Sequence, residues 1–379
     1  MRFLIIASYP GSILKFRGAL IKALQDKGFE IHIAAPEFDS HPEDVKILKS
    51  LGYTLHDIPL QRTGTNPLRD ATTLFSLRLL MTKVKPSHVM GYTVKPVIYG
   101  TLAAWSAKVP NRYALITGLG YAFQQVEETG NRSKLQKLIH GLYKQALSKT
   151  SKVFFQNSDD LNLFKQLKLI SSNTPTAVVN GSGVDVSEYE VVPLPVSDRH
   201  IPELRFLLIA RLLGDKGVRE YAQAAKYIKA KHPQTQFDLV GWIDDNPDSI
   251  EQQELDNWIK DGTINFWGKL ADVRPAIAAS SIYVLPSYRE GTPRTVLEAM
   301  AMGRPIITTD APGCRETVTD GVNGFLVPVK SVEGLTEAME KFIAAPVLIN
   351  TMGKASRQIA EEKFDVHAVN NFMLKEMGL

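Results

Sequence analysis

The sequence predicts an α/β protein made of two doubly wound, Rossmann-like domains that face a central cleft. Three observations predict this fold. Short apolar runs alternate with amphipathic stretches, a proline-containing segment interrupts the alternation near the middle, and 379 residues are too many for one ordinary core. Short strands separated by helices form parallel sheets with right-handed crossovers. We therefore expect one helix-covered parallel sheet in each domain.

Residues 1–190 are predicted to form the N-terminal domain. Its apolar runs are expected to be buried strands, because each is too short for a helix and ends at a turn residue. The strands are "RFLIIA", "EIHIAA", "PSHVMG", "NRYALITG" and "KVFFQN". The helices are "FRGALIKALQDKG", "PEDVKILKSLG", "KPVIYGTLAAWSAKV" and "SKLQKLIHGLYKQALSKT".

Residues 191–203 contain three prolines and no periodicity, which predicts a linker. Residues 204–360 then repeat the alternation and are predicted to form the C-terminal domain. Its strands are "LRFLLIARL", "TQFDLVG", "INFWG", "IYVLPS", "PIITT" and "GFLVPV". We expect residues 361–379 to form a C-terminal helix that returns to the N-terminal domain.

Composition and charge narrow the class of protein. Residues 1–190 carry 23 Lys and Arg against 15 Asp and Glu, and residues 191–379 carry 21 against 25, so the halves are +8 and −4. A basic first domain suggests that it meets phosphate, on a lipid head group or on a substrate. The single cysteine, Cys314, excludes an internal disulfide and fits a reducing compartment. No signal peptide or membrane-spanning run is indicated, which predicts a soluble or peripheral protein.

The stretch "YREGTPRTVLE" follows a predicted strand and holds two glutamates eight positions apart. Ligands of doubly wound sheets bind beyond the carboxyl ends of the strands, so Glu290 is expected at the ligand edge. Pro293 suits the first turn of the next helix, which would carry Glu298. Two such carboxylates suit the hydroxyls of two sugars, and Gly291 and Thr292 offer backbone N–H groups. The alternative is a pair of surface glutamates on an amphipathic helix.

Two cations follow the first strand of the second domain, in "LLIARLLGDKG". Arg211 supplies a planar fork for phosphate oxygens and Lys216 a mobile point charge, which predicts a diphosphate clamp; solvated surface cations are the alternative. In "YPGSILKFRGAL", we place Gly11 and Ser12 in the turn after the first strand and Arg17 at the head of the next helix. A tight turn without a ligand is the alternative. The spacing G-x-G-x-x-G is absent, so NAD and FAD are not indicated.

Several motifs of other enzyme classes are absent from the sequence. There is no Asp-x-Asp pair, no His-Glu-x-x-His, no P-loop and no G-x-S-x-G. A metal site, phosphoryl transfer on a P-loop and serine hydrolysis are therefore not indicated. Neither nucleic acid nor an obligate protein partner is expected.

"YREGTPRTVLEAMAMGRPIITTD" resembles the E-x7-E signature of retaining glycosyltransferases of the GT-B fold, in family four, and "ARLLGDKG" resembles that family's Arg and Lys loop. The resemblance covers essentially the whole chain, including "VNGSGVDVSEY" and "APGCRETVTDGVNGFLV". Within the family, the chain is most similar to bacterial enzymes that extend lipid-linked glycans. This implies transfer of a sugar such as N-acetylgalactosamine from a UDP-sugar to an undecaprenyl-diphosphate-linked glycan, in polysaccharide or glycoprotein glycan assembly.

The resemblance also implies catalytic roles. Arg211 and Lys216 would bind the donor diphosphate and neutralise the leaving group in place of a metal, so no cofactor is expected. Glu290, with the backbone of residues 291–293, would hold the transferred sugar. A donor phosphate oxygen would take the acceptor proton on the same face of the sugar, which retains the anomeric configuration without a protein base.

The remaining donor contacts implied by the resemblance lie in both domains. Glu298 would bind the ribose, and Pro293 would line the sugar site with Gly291 and Thr292. Gly11 and Ser12 would approach the diphosphate from the first domain. The nucleobase would lie near two residues that follow the strand "INFWG", namely Lys269 and Leu270.

One segment departs from the family pattern. Many members carry a histidine after the strand that here ends in "YALITGLGYAF", whereas this chain has Thr117, Gly118 and Gly120 there. Thr117 is no proton carrier at neutral pH, so a histidine role in orienting the donor sugar is in doubt; a plain Gly-rich turn is the alternative. We assign this segment, with Arg17, to the acceptor or cleft side.

A basic stretch of the first domain, "NRSKLQKLIHGLYKQALSKTSK", predicts an amphipathic helix on an anionic leaflet. Its apolar stripe is predicted from Leu135, Leu138, Leu142 and Ala146. Its membrane-facing charges include Lys134, Lys137 and Lys144. A buried stripe with a solvated basic face is the alternative, and "NPLRDATTLFSLRLLMTKVKP" is a second stretch of the same kind. The predicted location is the cytoplasmic face of the plasma membrane.

Two other functions fit the two-domain arrangement. A UDP-sugar epimerase would act on the donor without an acceptor, although its acids are not expected in an "EGTP" pattern. A non-catalytic protein would bind the nucleotide sugar and turn nothing over. Incubation with labelled UDP-sugars and a lipid extract separates the three.

Overall fold

Two units, each built on one parallel sheet, make up the chain. The computed structural model describes residues 1–61, 64, 66–119, 134–195 and 204–379. Unit 1 comprises Met1–Ser182 with Val369–Leu379, and unit 2 comprises Gly183–Ala368. Every strand pair described is parallel. The doubly wound α/β fold is thus confirmed in each unit.

The sheet of unit 1 has seven described strands in the order β3-β2-β1-β4-β5-β6-β7. The strands are β1 (Arg2–Ile6), β2 (Glu30–Ala35), β3 (Thr54–Asp57), β4 (His88–Tyr92), β5 (Asn111–Ile116), β6 (Lys152–Phe155) and β7 (Thr176–Val178). The helices are α1 (Gly11–Asp26), α2 (Pro42–Ser50), α3 (Pro67–Val84), α4 (Thr101–Ser106), α5 (Lys134–Leu147) and α6 (Ser158–Gln166). A π-helical turn, Pro96–Gly100, leads into α4.

Side chains alternate across the sheet of unit 1, because successive strand residues point to opposite faces. On β1, Phe3 and Ile5 pack with the core under α1 and α2. Leu4 and Ile6 pack with Leu77 of α3 and the inner side of α4. Helices α1 and α2 therefore cover one face of this sheet, and α3 and α4 cover the other.

The end of the chain belongs to unit 1. Helix α13 (Val366–Met377) follows α12 (Val347–Lys363), and its last residues pack in the core under α1 and α2. The Tyr113 hydroxyl donates to the Met377 carbonyl at 3.0 Å, and Lys152 pairs with Glu376 at 2.5 Å. The predicted single helix over 361–379 is thus two helices, which meet near residue 365.

The sheet of unit 2 has six strands in the order β10-β9-β8-β11-β12-β13. The strands are β8 (Arg205–Ile209), β9 (Gln236–Val240), β10 (Asn265–Gly268), β11 (Ile282–Leu285), β12 (Ile306–Thr309) and β13 (Gly324–Val327). The helices before α12 are α7 (Val218–Lys231), α8 (Gln252–Lys260), α9 (Arg274–Ala278), α10 (Arg294–Ala301) and α11 (Val332–Ala344). All six predicted strands are present.

Unit 2 begins before the expected boundary at residue 190. Val184 bonds to the backbone beside α12, donating to the Phe364 carbonyl at 2.9 Å. The guanidinium of Arg304 donates to the Val192 carbonyl at 3.0 Å, and that of Arg357 to the Tyr189 carbonyl at 2.8 Å. Residues 191–195, expected in the linker, thus pack on unit 2, while 196–203 lie outside the described residues.

One glycine fixes the loop between β8 and α7. Gly217 has a φ of +68°, and a Cβ there would lie 2.3 Å from the Pro286 carbonyl oxygen. A left-handed conformation costs an L-residue about 1–2 kcal/mol. The close approach of backbone to backbone adds a second constraint that only glycine meets.

We expect Gly217→Ala to lower the free energy of unfolding by about 2–4 kcal/mol, because strain and overpacking add. Gly262 is the matched control, since its φ is +72° and a Cβ there would meet nothing within 4 Å. Gly262→Ala should cost only about 1 kcal/mol. Urea unfolding measures both variants, and equal losses would show that the Pro286 contact contributes nothing.

Candidate active site

The site residues predicted in the second domain lie at the point where the strand order of unit 2 reverses. The first strand of the unit, β8, lies between β9 and β11. Its chain continues through α7 to β9 on one side, while the chain after β11 continues through α10 to β12 on the other. Loops that leave in opposite directions open a crevice at the carboxyl edge, where doubly wound folds bind ligands.

An ion pair joins the two loops of this crevice. Lys216, after β8, places its Nζ 2.6 Å from Oε1 of Glu290, after β11. Their side chains are only 14% and 18% exposed. The backbones are also tied, since the Tyr288 N–H donates to the Asp215 carbonyl at 2.9 Å. Two predicted catalytic residues, 74 positions apart, are therefore in direct contact.

The pair keeps Lys216 charged. Burial disfavours its ammonium, but the negative charges of Glu290 and Asp215 outweigh that effect and raise the pKa of Lys216 above its ordinary value. The positive charge of Arg211 acts in the opposite sense, which shows that the two cations share one electrostatic environment. A shielded ammonium beside a carboxylate suits an anionic ligand with hydroxyl groups.

Arg211, the third predicted catalytic residue, lies at the same edge. Its Nη1 donates to Oδ2 of Asp244, in the loop after β9, at 2.9 Å. The Arg211 side chain is 36% exposed. A guanidinium has five N–H donors, so Asp244 orients Arg211 without using all of its donor capacity. Asp244 was not predicted, because its role depends on a neighbouring strand.

The second glutamate of the motif is buried inside α10. Glu298 is 1% exposed. Its Oε1 accepts from Nε of Arg294 at 2.8 Å and from the Tyr189 hydroxyl at 3.0 Å. Burial, and then the charge of Glu298, raise the pKa of Tyr189 above its ordinary value. Oε2 of Glu298 is buried and has no hydrogen-bond partner among the described residues, which is uncommon for a buried carboxylate oxygen.

The backbone between the two glutamates is closely packed. Gly291 and Pro293 are buried and Thr292 is half-buried. Pro293 is the N-cap of α10, not a residue of its first turn as predicted, since its ψ of 110° is extended. Behind it lies Gly313, with a φ of +82°, where a Cβ would lie 2.2 Å from the Glu290 carbonyl oxygen. Sequence reasoning missed Gly313, although "APGC" is a turn pattern.

Two further strand ends supply an aromatic and a basic group. Lys269 is exposed just after β10, and its Nζ lies 4.9 Å from the ring centre of Trp242. Trp242 follows β9 and is 41% exposed. Leu270 is half-buried and packs against the core of unit 2. Trp242 was not predicted; its position after "FDLVG", at the same sheet edge, could have suggested it.

In unit 1, Gly11, Ser12 and Arg17 all lie within α1, which begins earlier than expected. Helix α1 already begins at Gly11, because Pro10 is helical at its N-cap. Gly11 and Ser12 thus open the helix rather than forming a turn before it. Arg17 lies in the second turn, buried, with its guanidinium carbon 5.4 Å from the ring centre of Tyr92. The Ser12 hydroxyl hydrogen-bonds to the Tyr92 hydroxyl at 2.9 Å.

The Gly-rich segment after β5 is described in part. Thr117 and Gly118 are half-buried at the carboxyl edge of the unit 1 sheet, and Gly118 has a φ of +137°. Gly120 lies outside the described residues. A glycine is thus required at 118, and the site role of this segment stays a prediction.

The predicted basic helix exists as α5, and one side of it is buried in unit 1. Lys137 and Lys144 are exposed, whereas the side chain of Lys134 lies outside the described residues. Leu138, a member of the predicted apolar stripe, is 55% exposed, whereas Leu142 is half-buried. The buried positions are those of Gln136, His140, Tyr143, Ala146 and Leu147. The described members of the predicted stripe are thus divided between the exposed and the buried side, and the buried side also includes polar Gln136 and His140.

The described residues contain neither a cluster of metal ligands nor a membrane-spanning helix. Within that part of the chain, no group of three His, Cys, Asp or Glu side chains could hold a metal ion. No helix in it is both long and apolar enough to span a bilayer.

Comparison with known proteins places both units. The family "Glycosyl transferase 4-like" matches residues 10–157, and the family "Glycosyl transferases group 1" matches residues 203–345. The crystal structure of HepE from Anabaena in complex with UDP matches over 100% of both chains, with a TM-score of 0.79 and 19% identity. The chain belongs to the glycosyltransferases of the GT-B fold.

Two bacterial relatives of this glycosyltransferase carry diphospho-undecaprenol in their names. The N,N'-diacetylbacillosaminyl-diphospho-undecaprenol alpha-1,3-N-acetylgalactosaminyltransferase of Campylobacter jejuni is 26% identical and covers 95% of this chain and 94% of its own. The UDP-Gal:alpha-D-GlcNAc-diphosphoundecaprenol alpha-1,3-galactosyltransferase of Escherichia coli is 25% identical and covers 82% of this chain and 79% of its own. Among solved structures, sucrose-phosphate synthase from Thermosynechococcus elongatus matches with a TM-score of 0.80 and 21% identity, covering 99% and 98%.

Removing the Glu290 charge should lower the pKa of Lys216 in this glycosyltransferase. Because the folded-state pKa is raised, the stability that the pair contributes is present below the ordinary lysine pKa and is lost as pH rises through the raised value. In Glu290→Gln, burial still lowers the pKa of Lys216, but the negative charge of Glu290 no longer raises it. The pH dependence of Lys216 acetylation, followed by mass spectrometry, measures the change. Glu340→Gln, an exposed carboxylate of the same unit, is the control and should leave the Lys216 profile in place.

Proposed function

We propose that this chain is a retaining glycosyltransferase that moves a sugar, such as N-acetylgalactosamine, from a UDP-sugar to an undecaprenyl-diphosphate-linked glycan. The observation that carries the proposal is the Lys216–Glu290 pair at the strand-order reversal of unit 2. It combines a cation for a diphosphate and a carboxylate for sugar hydroxyls in one crevice. The reaction would serve bacterial polysaccharide or glycoprotein glycan assembly.

The relatives support the acceptor and the donor. Both the Campylobacter and the Escherichia coli enzymes carry diphospho-undecaprenol acceptors in their names, and each covers most of this chain. The Escherichia coli name gives a UDP-sugar donor, and HepE was solved with UDP and with UDP-glucose. The Campylobacter name favours N-acetylgalactosamine.

The donor diphosphate would bind to the cations of the crevice. The ammonium of Lys216 has three N–H donors, of which Glu290 takes one, and Arg211 keeps donors beyond those facing Asp244. Charge accumulates on the diphosphate as the sugar–oxygen bond breaks, and fixed cations stabilise that charge. These two residues would therefore assist departure of UDP without a metal.

The nucleoside would extend along the same sheet edge. Trp242 presents a half-exposed ring beside Lys269, which gives a uracil base an aromatic surface to stack on. The buried oxygen Oε2 of Glu298 would accept a ribose hydroxyl. Leu270 would close the apolar side of this pocket.

At the reacting end, Glu290 would hold the hydroxyls of the transferred sugar together with the backbone of residues 291–293. The bond from the sugar's anomeric carbon to the donor phosphate oxygen breaks, and the electron pair leaves with UDP. The acceptor hydroxyl attacks the same face and passes its proton to a UDP phosphate oxygen. The product keeps the anomeric configuration of the donor.

The acceptor would be reached at a membrane. A lipid-linked substrate requires the enzyme at the cytoplasmic face of the plasma membrane, and Lys137 and Lys144 on the exposed side of α5 suit anionic lipid. Gly11 and Ser12 would approach the donor diphosphate, whereas Arg17 and the Thr117 segment would belong to the acceptor or cleft side of unit 1. Nucleic acid, a metal cofactor and an obligate protein partner form no part of this proposal.

A direct transfer assay tests the proposed function. The protein is incubated with labelled UDP-N-acetylgalactosamine, other UDP-sugars and undecaprenyl-diphosphate-linked glycan, in EDTA. We expect a lipid-linked product with the donor's anomeric configuration, determined by NMR, at a rate that added Mg²⁺ does not raise. Consumption of the donor without an acceptor would indicate an epimerase, and binding without turnover a non-catalytic protein. An inverted product would overturn the retaining mechanism.

Two substitutions in the crevice should affect different steps. Lys216→Ala should weaken the affinity for UDP about 10- to 100-fold, because it removes a charged hydrogen bond to the diphosphate. Glu290→Gln should leave UDP affinity within a few-fold and cut turnover about 10²- to 10³-fold, because it acts on the transferred sugar in the transition state. Calorimetry and initial rates measure the two effects.

The matched controls for these variants are Lys231→Ala and Glu340→Gln, which break an exposed ion pair of the same unit. Both controls should retain wild-type UDP affinity and turnover. Unchanged UDP affinity in Lys216→Ala would remove the diphosphate clamp. Normal turnover in Glu290→Gln would remove Glu290 from the reacting centre.

A further inference from the structure

Helix α3 exposes an apolar stripe on the side away from the sheet. Leu68 is 81% exposed, Phe75 58% and Leu79 54%. These positions follow a spacing of seven and four residues, which places them on one face of a helix. The opposite side, with Leu77 and Met81, is buried in the core. Exposed apolar residues aligned in this way indicate an interaction surface, whereas scattered ones do not.

Two neighbouring helices extend this surface. Helix α4 contacts both α3 and α5, so the three form one layer on one face of the unit 1 sheet. In this α3–α4–α5 layer, Trp105 is 50% exposed and Leu138 is 55% exposed. Apart from the terminal Met1, the five most exposed large apolar side chains among the described residues of unit 1 all lie on this layer.

The charge of the layer has one sign. Residues 66–108 and 134–150, which contain its three helices, hold ten Lys or Arg residues and a single acid, Asp70. That acid is neutralised, because Lys95 lies 2.8 Å from its carboxylate and both side chains are only 14% exposed. The exposed cations include Arg69, Arg78, Lys137 and Lys144. A solvent-facing acid is therefore absent from the described part of these segments.

We propose that the α3–α4–α5 layer is a membrane-docking surface that inserts the apolar side chains of α3 into an anionic bilayer. Exposed apolar side chains suit the acyl chains of a bilayer, and the cations around them suit its negative head groups. The proposed function gives this surface its purpose, since the acceptor is lipid-linked. Docking itself requires no transfer, so the two are tested separately.

Insertion of α3 side chains into the bilayer and attraction of α5 lysines to lipid head groups respond differently to salt. Electrostatic attraction is screened over about 8–10 Å at physiological ionic strength and is released by salt. Burial of Leu68, Phe75 and Leu79 adds a part that salt does not release. Docking through both should therefore survive salt partially, and Trp105 should lie at the interface where tryptophan side chains are enriched in membranes.

The test uses sedimentation of the full chain with vesicles of phosphatidylcholine alone or with 30% phosphatidylglycerol. We expect binding only to the anionic vesicles, with a fraction retained in 0.5 M NaCl. A variant with Leu68→Ser, Phe75→Ser and Leu79→Ser should bind at least about 10-fold more weakly and lose the salt-resistant fraction. A variant with Arg78→Glu, Lys137→Glu and Lys144→Glu should lose binding to anionic vesicles.

The matched control is Ile47→Ser with Leu51→Ser, on and beside α2, which covers the opposite face of the same sheet and exposes these residues by 45% and 40%. This control should bind like the wild type. Quenching by brominated lipid gives an independent measure, since it should reach Trp105 and should decrease strongly in Trp105→Phe. Thermal unfolding confirms that the surface variants are folded.

Wild-type binding that the α3 variant shares in full would overturn the proposal, as would absence of binding to anionic vesicles. Light scattering tests another occupant: a dimer that the α3 variant loses, without vesicle binding, would show that the layer joins two copies of the chain. Transfer to a short-chain acceptor in detergent should be unaffected in the α3 variant. If vesicle binding is seen but no variant or wild type transfers sugar, the proposed function fails while the docking surface stands.

Discussion

The site of unit 2 depends on the pairing of β8 with β11, two strands separated by more than seventy residues. This pairing makes β8 central and sends the chain away from it on both sides, so the loops after the two strands face each other. Lys216 and Glu290 meet only because of that arrangement. Without the β8–β11 pairing, each residue would be an isolated charge on a surface loop, and the two loops would not form a crevice.

Close backbone approaches hold this arrangement in place. A Cβ on Gly217 would lie 2.3 Å from the Pro286 carbonyl oxygen, and one on Gly313 would lie 2.2 Å from that of Glu290. A Cβ on Gly241 would lie 2.0 Å from the Ala210 carbonyl oxygen. At each contact a side chain would collide with backbone, which cannot move aside as a flexible side chain can. The loops of the crevice are thus located by main-chain packing and not only by the ion pairs of their charged side chains. The Lys216–Glu290 pair does not by itself indicate that the loops are stabilised, because the cost of removing two charges from water offsets their attraction. Its position at the ligand edge of the sheet favours a functional role for the pair.

Much of unit 2 could be predicted from the sequence, and unit 1 less completely. In unit 2, β8, β11 and β13 are nearly continuous apolar runs with mostly buried residues, typical of strands covered on both faces. In unit 1, β3 and β7 were missed. Strand β3 lies at the edge of its sheet, carries one large apolar residue in four and is partly exposed, so it has no apolar run to recognise. The positions of Arg211, Lys216 and Glu290 at strand ends were predictable, because the end of an apolar run marks the carboxyl edge of the sheet.

What could not be predicted depends on contacts between distant segments. The orientation of Arg211 by Asp244, the ring of Trp242 beside Lys269 and the burial of Glu298 under Tyr189 each join different loops. The boundary at residue 183 depends on Arg304 and Arg357, which bond carbonyls of a segment that has no periodicity of its own. Sequence patterns describe one segment at a time, so they cannot show these contacts.

The exposed side of helix α3 is another feature that the sequence alone does not show. The apolar residues of this helix lie on two opposite sides, with Arg69, Arg78 and Lys83 between them, so no single apolar stripe indicates which side faces the core. Yet it covers the sheet with one side only, and nothing described in unit 1 covers Leu68, Phe75 or Leu79 on the other. The sequence alone cannot separate a doubly buried helix from one with an apolar outer face, because both have the same composition and spacing. The sheet separates them, because it fixes which side of α3 faces the core. The exposed apolar residues on the other side, with cations beside them, are the ones on which the proposed docking surface is based.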